Sequence, residues 1–200
     1  NLGAIGKGHA LDRAAAILPS DYVARLRADF DGHAGIADRL LAATTLEVPR
    51  GLRINTLRGE IEDTVAELAK EDLAGTPVPW AAWARVVTPD IARRVTETDA
   101  WRDGRVVLQS LSSMLAVIAL DPKPGERTLD LCAAPGGKTA LIAALADGRL
   151  DLHANDRSRR RCLRMRALLD TLGVTARIRT GPGERLPARE LGTFDRVLVD

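Results

Sequence analysis

The chain is poor in the residues that most often announce chemistry or a covalent scaffold. It has two cysteines, Cys132 and Cys162, and only three histidines, His9, His33 and His153. Two thiols cannot staple a disulfide framework, so a reducing compartment is expected, cytoplasmic or organellar after loss of a targeting peptide. The histidines have no metal-ligand spacing, so neither zinc chemistry nor any other metal partner is expected. No apolar run approaches the ~20 residues of a membrane helix; Met114–Leu120 is typical of the longest. No basic-then-apolar leader opens the sequence, and no membrane partner is expected. Aromatic residues make up only 3% of the chain, yet 46% hydrophobic and 28% charged residues exclude a disordered or collagen-like protein.

Charge is abundant and unevenly placed. The formal net charge is +2, but residues 149–189 hold eleven arginines against Asp151, Asp156, Asp170 and Glu184. Such a block suits a phosphate-rich partner or a solvated helix face, and charge alone does not separate the two. The sequence opens at Asn1 and stops at Asp200 directly after Val197-Leu198-Val199. It therefore reads as a fragment cut at the end of a parallel strand.

Periodicity divides the chain into three parts. Residues 1–48 read as helical: Leu11, Ala14, Ala15 and Leu18 recur at helical spacing, Ser20 or Asp21 can cap a helix to about Phe30, and another runs from Ile36 to about Leu46. Residues 49–104 read as a small α+β unit. Its strand is Gly51–Leu57, its helix Glu60–Leu73, and a Pro-punctuated piece around Trp80, Trp83 and Val86-Val87 adds a strand or two. The tryptophans suit the core better than base stacking. From 105 onward strands and helices alternate. An apolar helix spans Gln109–Leu120, strands Thr128–Cys132, Leu150–Ala154, Thr175–Arg179 and Phe194–Val199, with helices Lys138–Ala146 and Ser158–Leu172 between them. That alternation predicts an α/β fold with a parallel, Rossmann-like sheet.

One segment carries the chemistry. Leu129–Ile142 is strand, tight turn and helix, with Gly136 and Gly137 lacking the Cβ that would keep a ligand off the backbone. Asp156 follows the second strand twenty residues after Gly136, the offset at which a carboxylate accepts ribose hydroxyls. Together they predict a pocket for an adenosine-bearing ligand. The rival phosphate-loop reading of Gly137-Lys138-Thr139 fails because Cys132 stands where a glycine is needed. Cys132, at a strand end with no histidine nearby, is expected to be a packed thiol, as is Cys162. Arg161 either steadies Asp156, touches the ligand or lies on the surface.

The run Asp130-Leu-Cys-Ala-Ala-Pro-Gly-Gly-Lys-Thr139, the run Ala154-Asn-Asp-Arg-Ser158 with Arg161, and Phe194-Asp-Arg-Val-Leu-Val-Asp200 resemble the RNA cytosine-5 methyltransferases of the Sun/Nop2 type. Gly51–Leu57, Gln109–Met114 and Pro124–Glu126 are similar to further segments of that family. The resemblance implies a methyltransferase using S-adenosyl-L-methionine on rRNA, with tRNA next. Cys132, Ala133, Ala134, Pro135, Gly136, Gly137 and Lys138 would wrap the methionine part. Asp156 would take the ribose, supported by Arg161, and Asp200 would border the methyl donor. Residues 49–104 would be the substrate-recognition domain and 105–200 the front half of the catalytic domain. The family's cysteine nucleophile, which attacks carbon 6 of cytosine, falls beyond Asp200, so no catalytic residue is assigned. Pro182 replaces the acid that the family presents to adenine. Two other readings stay open: an inactive RNA-binding protein with this fold, or a methyltransferase on a non-RNA substrate. Oligomeric state is not encoded in these features.

Overall fold

A computed structural model describes residues 19–33, 35–43, 48–190 and 192–200. The chain divides into two compact units, Asn1–Val48 and Pro49–Asp200. In the first, helices α1 (Ser20–Asp29) and α2 (Ile36–Ala43) share a small apolar contact of Val23, Leu26 and Leu41. Pro19, not Ser20 or Asp21, is the residue at the cap of α1, and no side chain caps it. The helical pattern around Leu11–Leu18 and the end of the second helix at Leu46 lie outside the described residues.

The second unit contains two four-stranded sheets. The first is antiparallel, in the order β2 (Thr76–Val78), β3 (Ala81–Val87), β1 (Arg50–Ile54), β4 (Val106–Leu108). Leu52 and Ile54 of β1 face one way, into a core with Leu68 at the end of α3 (Ile61–Ala69), Val95 of α4 (Pro89–Val95) and Ala100 of α5 (Asp99–Arg102). The sequence pattern did not indicate α4 and α5, which are too short for an apolar repeat. Their legible signals are capping threonines, since Thr88 and Thr98 accept from the backbone N–H groups of Ile91 and Trp101. Trp83 packs against both cores, whereas Trp80 is exposed.

The second sheet is parallel, in the order β7 (Arg177–Thr180), β6 (Asp151–Asp156), β5 (Arg127–Asp130), β8 (Arg196–Leu198). This is the Rossmann-like arrangement that strand–helix alternation predicts. Helices α6 (Leu111–Leu120), α7 (Gly137–Leu145) and α8 (Arg159–Leu172) supply Met114, Val117, Leu141, Ile142, Met165 and Leu169 to its core. The chain steps outward from β5 to β6 to β7, then returns to the opposite side of β5 for β8. The strand order therefore reverses at β5, where doubly wound sheets open a crevice. Val106–Leu108 stands on the far side of the expected boundary near residue 104, yet it pairs with β1 in the first sheet. Val107 joins the core of the second sheet from that position. No described helix is long and apolar enough to cross a membrane.

Two buried polar residues hold these layers in register. Asn55 is 1% exposed, and its side-chain amide donates to Gly104 O (2.8 Å) and to Leu172 O at the end of α8 (2.9 Å). Asp130, 2% exposed, accepts from the Thr139 hydroxyl at 2.7 Å and so ties β5 to α7. Burial pushes its carboxyl up to about 6, against the opposing pull of the Thr139 hydroxyl and the Lys138 charge.

Asn55→Ala leaves two buried carbonyls unpaired and should lower unfolding free energy by about 2–3 kcal/mol in urea titrations. A change below about 0.5 kcal/mol would show that Asn55 does not join the layers. Asp130 holds its proton more tightly folded than unfolded, so its contribution to stability is complete below about pH 4 and is lost as pH rises through about 6. Asp130→Asn keeps the acceptor for Thr139 and removes that titration. Its stability relative to the parent should therefore rise by about 3 kcal/mol between pH 4 and pH 8, and a flat difference would contradict the shift.

Candidate functional site

The loop from Leu131 to Gly136 hangs from the strand ends on both sides of β5. Leu131 N–H donates to Leu198 O (2.9 Å) and Ala133 N–H to Asn155 O (2.8 Å). Ala133 and Ala134 are buried, whereas Cys132 and Pro135 face outward. Cys132 is thus an exposed thiol and not the packed one expected, because β5 ends at Asp130 and the residue sits on the loop. Cys162 is buried as expected, its Sγ lying 3.5 Å from Asp156 O.

The two glycines do different work. Gly136 caps α7 at φ 108°, and a Cβ there would stand 2.9 Å from Met165 Cγ. Turn and packing both require glycine, independent of any ligand. At Gly137 a Cβ would meet only Gln109 Cδ, at 3.8 Å, so the backbone there is free to be approached. The first N–H of α7 to find a carbonyl is that of Ala140, on Gly136 O. The N–H groups of the first turn are left to a ligand or solvent.

Asp156 is the hub of the site. Its side chain is 3% exposed and accepts from Ser158 N (2.9 Å) and Ala134 N (3.3 Å), with Arg161 Nη1 at 3.2 Å. Arg161 Nη2 donates to Ala134 O. Although half exposed, Arg161 therefore steadies the acid and clamps the loop. Asn155, which the sequence reading passed over, donates to Leu131 O (3.0 Å) and Gly181 O (3.1 Å) and accepts from Arg179 Nη1 (3.3 Å). Only its position beside Asp156 at the strand end could have marked it. Gly181 N–H donates to Asp156 O, so the loops after β5, β6 and β7 form one connected rim. Pro182, half-buried on that rim, has no side-chain acceptor.

Across the strand-order reversal, Lys138 Nζ in the first turn of α7 pairs with Asp200 Oδ2 just past β8. All ten residues expected at the site thus lie on the rim or in its immediate supports. Several arginines of the basic block are committed elsewhere: Arg149 to Asp147, Arg177 to Asp151 and Arg179 to Asn155. Arg157, Arg159, Arg160, Arg164 and Arg166 are exposed, at the start and along the outer face of α8.

Comparison with known proteins agrees with this geometry. Residues 117–200 match the family described as 16S rRNA methyltransferase RsmB/F. The 26S rRNA (cytosine-C(5))-methyltransferase nsun-1 of Caenorhabditis elegans is 36% identical over 155 residues, covering 76% of this chain and 23% of that protein. The tRNA (cytosine(49)-C(5))-methyltransferase of Pyrococcus abyssi is 35% identical over 150 residues, covering 74% of this chain and 48% of that protein. The chain thus spans between about a quarter and a half of the length of these two relatives. A crystal structure of a methyltransferase homolog from Pyrococcus horikoshii superposes with a TM-score of 0.67 at 30% identity, covering 90% of this chain and 57% of that one. Motifs, fold and relatives agree, and the chain belongs to the RNA cytosine-C5 methyltransferase family that includes RsmB/F and the Nop2-type enzymes.

Proposed function

We propose that the protein is the donor-binding and substrate-recognition part of an S-adenosylmethionine-dependent RNA (cytosine-5) methyltransferase. Its substrate is rRNA, with tRNA as the alternative. The observation that carries this reading is the rim at the carboxyl end of β5, where a bare backbone at Gly137 stands beside the buried carboxylate of Asp156. The relatives' names supply the substrate class.

The residues fit the donor. A carboxylate offers about four acceptor positions. Ser158 N, Ala134 N and Arg161 use three at Asp156, which leaves room for a ribose hydroxyl. When bound, the donor supplies an electrophilic methyl group. Residues Cys132–Lys138 hold its methionine part, Asp156 orients the ribose, and Arg161 braces Asp156 against the loop at Ala134. Lys138 and Asp200 face one another where the methyl group and target base meet. Adenine receives no side-chain hydrogen bond at Pro182, so its hold rests on shape and backbone. No nucleophile is assigned within residues 1–200. Residues 49–104 recognise the substrate, and the exposed arginines of α8 follow RNA phosphates. The two free thiols suit a reducing, cytoplasmic setting.

Calorimetric titration with S-adenosylhomocysteine, a stable product analogue of the donor, tests the site. The parent protein should bind one equivalent, and Asp156→Asn, which keeps one acceptor oxygen for the loop, should bind at least tenfold more weakly, a loss above about 1 kcal/mol. Equal affinity would remove Asp156 from the site, and no heat with the parent protein would remove the reading itself.

A further inference from the structure

Arg53 is anomalous for a strand residue. It is 0% exposed, and only one of its nitrogens is satisfied, Nε donating to Gln109 Oε1 at 2.9 Å. Arg53 Nη1, Arg53 Nη2 and Gln109 Nε2 are buried without a partner in the protein. Burial lowers the guanidinium to about 10, so it remains charged at neutral pH. A buried cation with two unpaired terminal nitrogens is strongly unfavourable unless something completes it.

The surroundings show what kind of group would do so. Arg53 lies on the face of β1 opposite Leu52 and Ile54, in register with Ala84 and Val107, which belong to the core of the parallel sheet. Gly51 lets the chain leaving β4 lie hard against β1: Gln109 N–H donates to Gly51 O (3.0 Å), and a Cβ on Gly51 would stand 2.1 Å from Gln109 O. Gln109, itself nine-tenths buried, lies over Gly137, its Cδ 3.8 Å from where a Cβ of that glycine would be. The unpartnered Gln109 amide therefore adjoins the open first turn of α7, and the Arg53 guanidinium is bonded to that same side chain. The cluster presents donors and positive charge, and Gln109 Oε1 already accepts from Arg53 Nε. It calls for a small anion with two oxygens. Depth decides between the anions within reach. A phosphate fixed in an RNA strand cannot follow its neighbours into a fully buried seam, whereas a terminal carboxylate on a small ligand can enter.

We infer that Arg53 and Gln109, together with the first turn of α7, form the seat for the carboxylate of the methyl donor's methionine part. The inference rests on the functional reading above and adds to it: the small antiparallel sheet supplies the charge that anchors the donor, through the one β1 face that meets the methyltransferase sheet. It also accounts for the unpaired nitrogens, which such a carboxylate would complete.

The test compares S-adenosylmethionine with its decarboxylated form, which keeps the sulfonium, adenosine and amine and lacks only the carboxylate. Affinity is read by calorimetry, with a thermal melt of each protein. The parent should prefer the carboxylated donor at least tenfold. Arg53→Met should reduce that preference to less than threefold, with affinity for the decarboxylated form little changed, while raising the melting temperature by removing the unpaired cation. A merely structural Arg53 would give the opposite melt and leave the preference intact, which would overturn the inference. Should Arg53→Met not fold, Gln109→Glu decides: an internal carboxylate facing Arg53 should stabilise the fold and abolish the preference, and a preference retained in that variant overturns the inference. Failure of the parent to bind either ligand would count against the functional reading and not against this seat alone.

Discussion

The buried carboxylate of Asp156 is the constraint on which the rest of the site depends. Strand ends in a parallel sheet leave N–H and C=O groups without neighbours, and loops leaving those ends are free to splay. Here Asp156 takes the N–H of Ala134 on one side and caps the turn at Ser158 on the other, while its own carbonyl accepts from Gly181. Arg161 closes the figure by bonding both the acid and Ala134 O. Three loops become one rim, and the turn between β5 and α7 is held open at the point where the strand order reverses. A neutral residue at 156 could fill the volume, but it could not hold Arg161 by charge while accepting from two backbone amides.

The rim stands on a base that gives up stability to polarity. The core between the parallel sheet and its helices is aliphatic, with Met114, Val117, Ile142 and Met165 fully buried. That burial offsets a set of costly groups close to the seam and the strand ends. The raised carboxyl of Asp130, the unpaired Thr128 hydroxyl and the half-satisfied Arg53 and Gln109 all belong to β5, β1 or the turn after β4. Buried polarity left without partners, as at Arg53 and Gln109, is the pattern expected where a ligand completes the bonding.

How much of this was legible in the sequence depended on whether the information was local. The alternation of strands and helices after residue 120 is a local periodicity, and all four parallel strands lie within two residues of where it put them. The spacing from Gly136 to Asp156 likewise survived, since it spans one strand, one helix and one loop. What failed was local pattern overruled by packing. The alternation through Gly51–Leu57 suggests a strand with one wet face, but Arg53 and Asn55 are buried because that face meets a second layer. No nearest-neighbour pattern reports a partner that arrives 117 residues later, as Leu172 does for Asn55. Cys132 was misplaced for a smaller reason: the strand stops two residues early, which turns a core position into a loop position. Gly136 and Gly137 read alike, and only the φ of one and the neighbour of the other separate a glycine the fold needs from a glycine a ligand can use.

The arginines at the start of α8 show how far helix stability was subordinated. Cations in the first turn oppose the helix dipole, and this helix has no acid there. Arg159, Arg160 and Arg161 nevertheless occupy it, with only the Ser158 cap and Asp156 in compensation. Arg161 has a structural partner, whereas Arg159 and Arg160 are exposed and gain nothing from the fold at that end. Moving them to the last turn, where a cation is favourable, would serve the helix better. Their position is understandable if the field they create matters more than the helix does: it places positive charge immediately beside the Asp156 rim, as the proposed RNA substrate would require. A face charged for the helix alone would be basic at its other end.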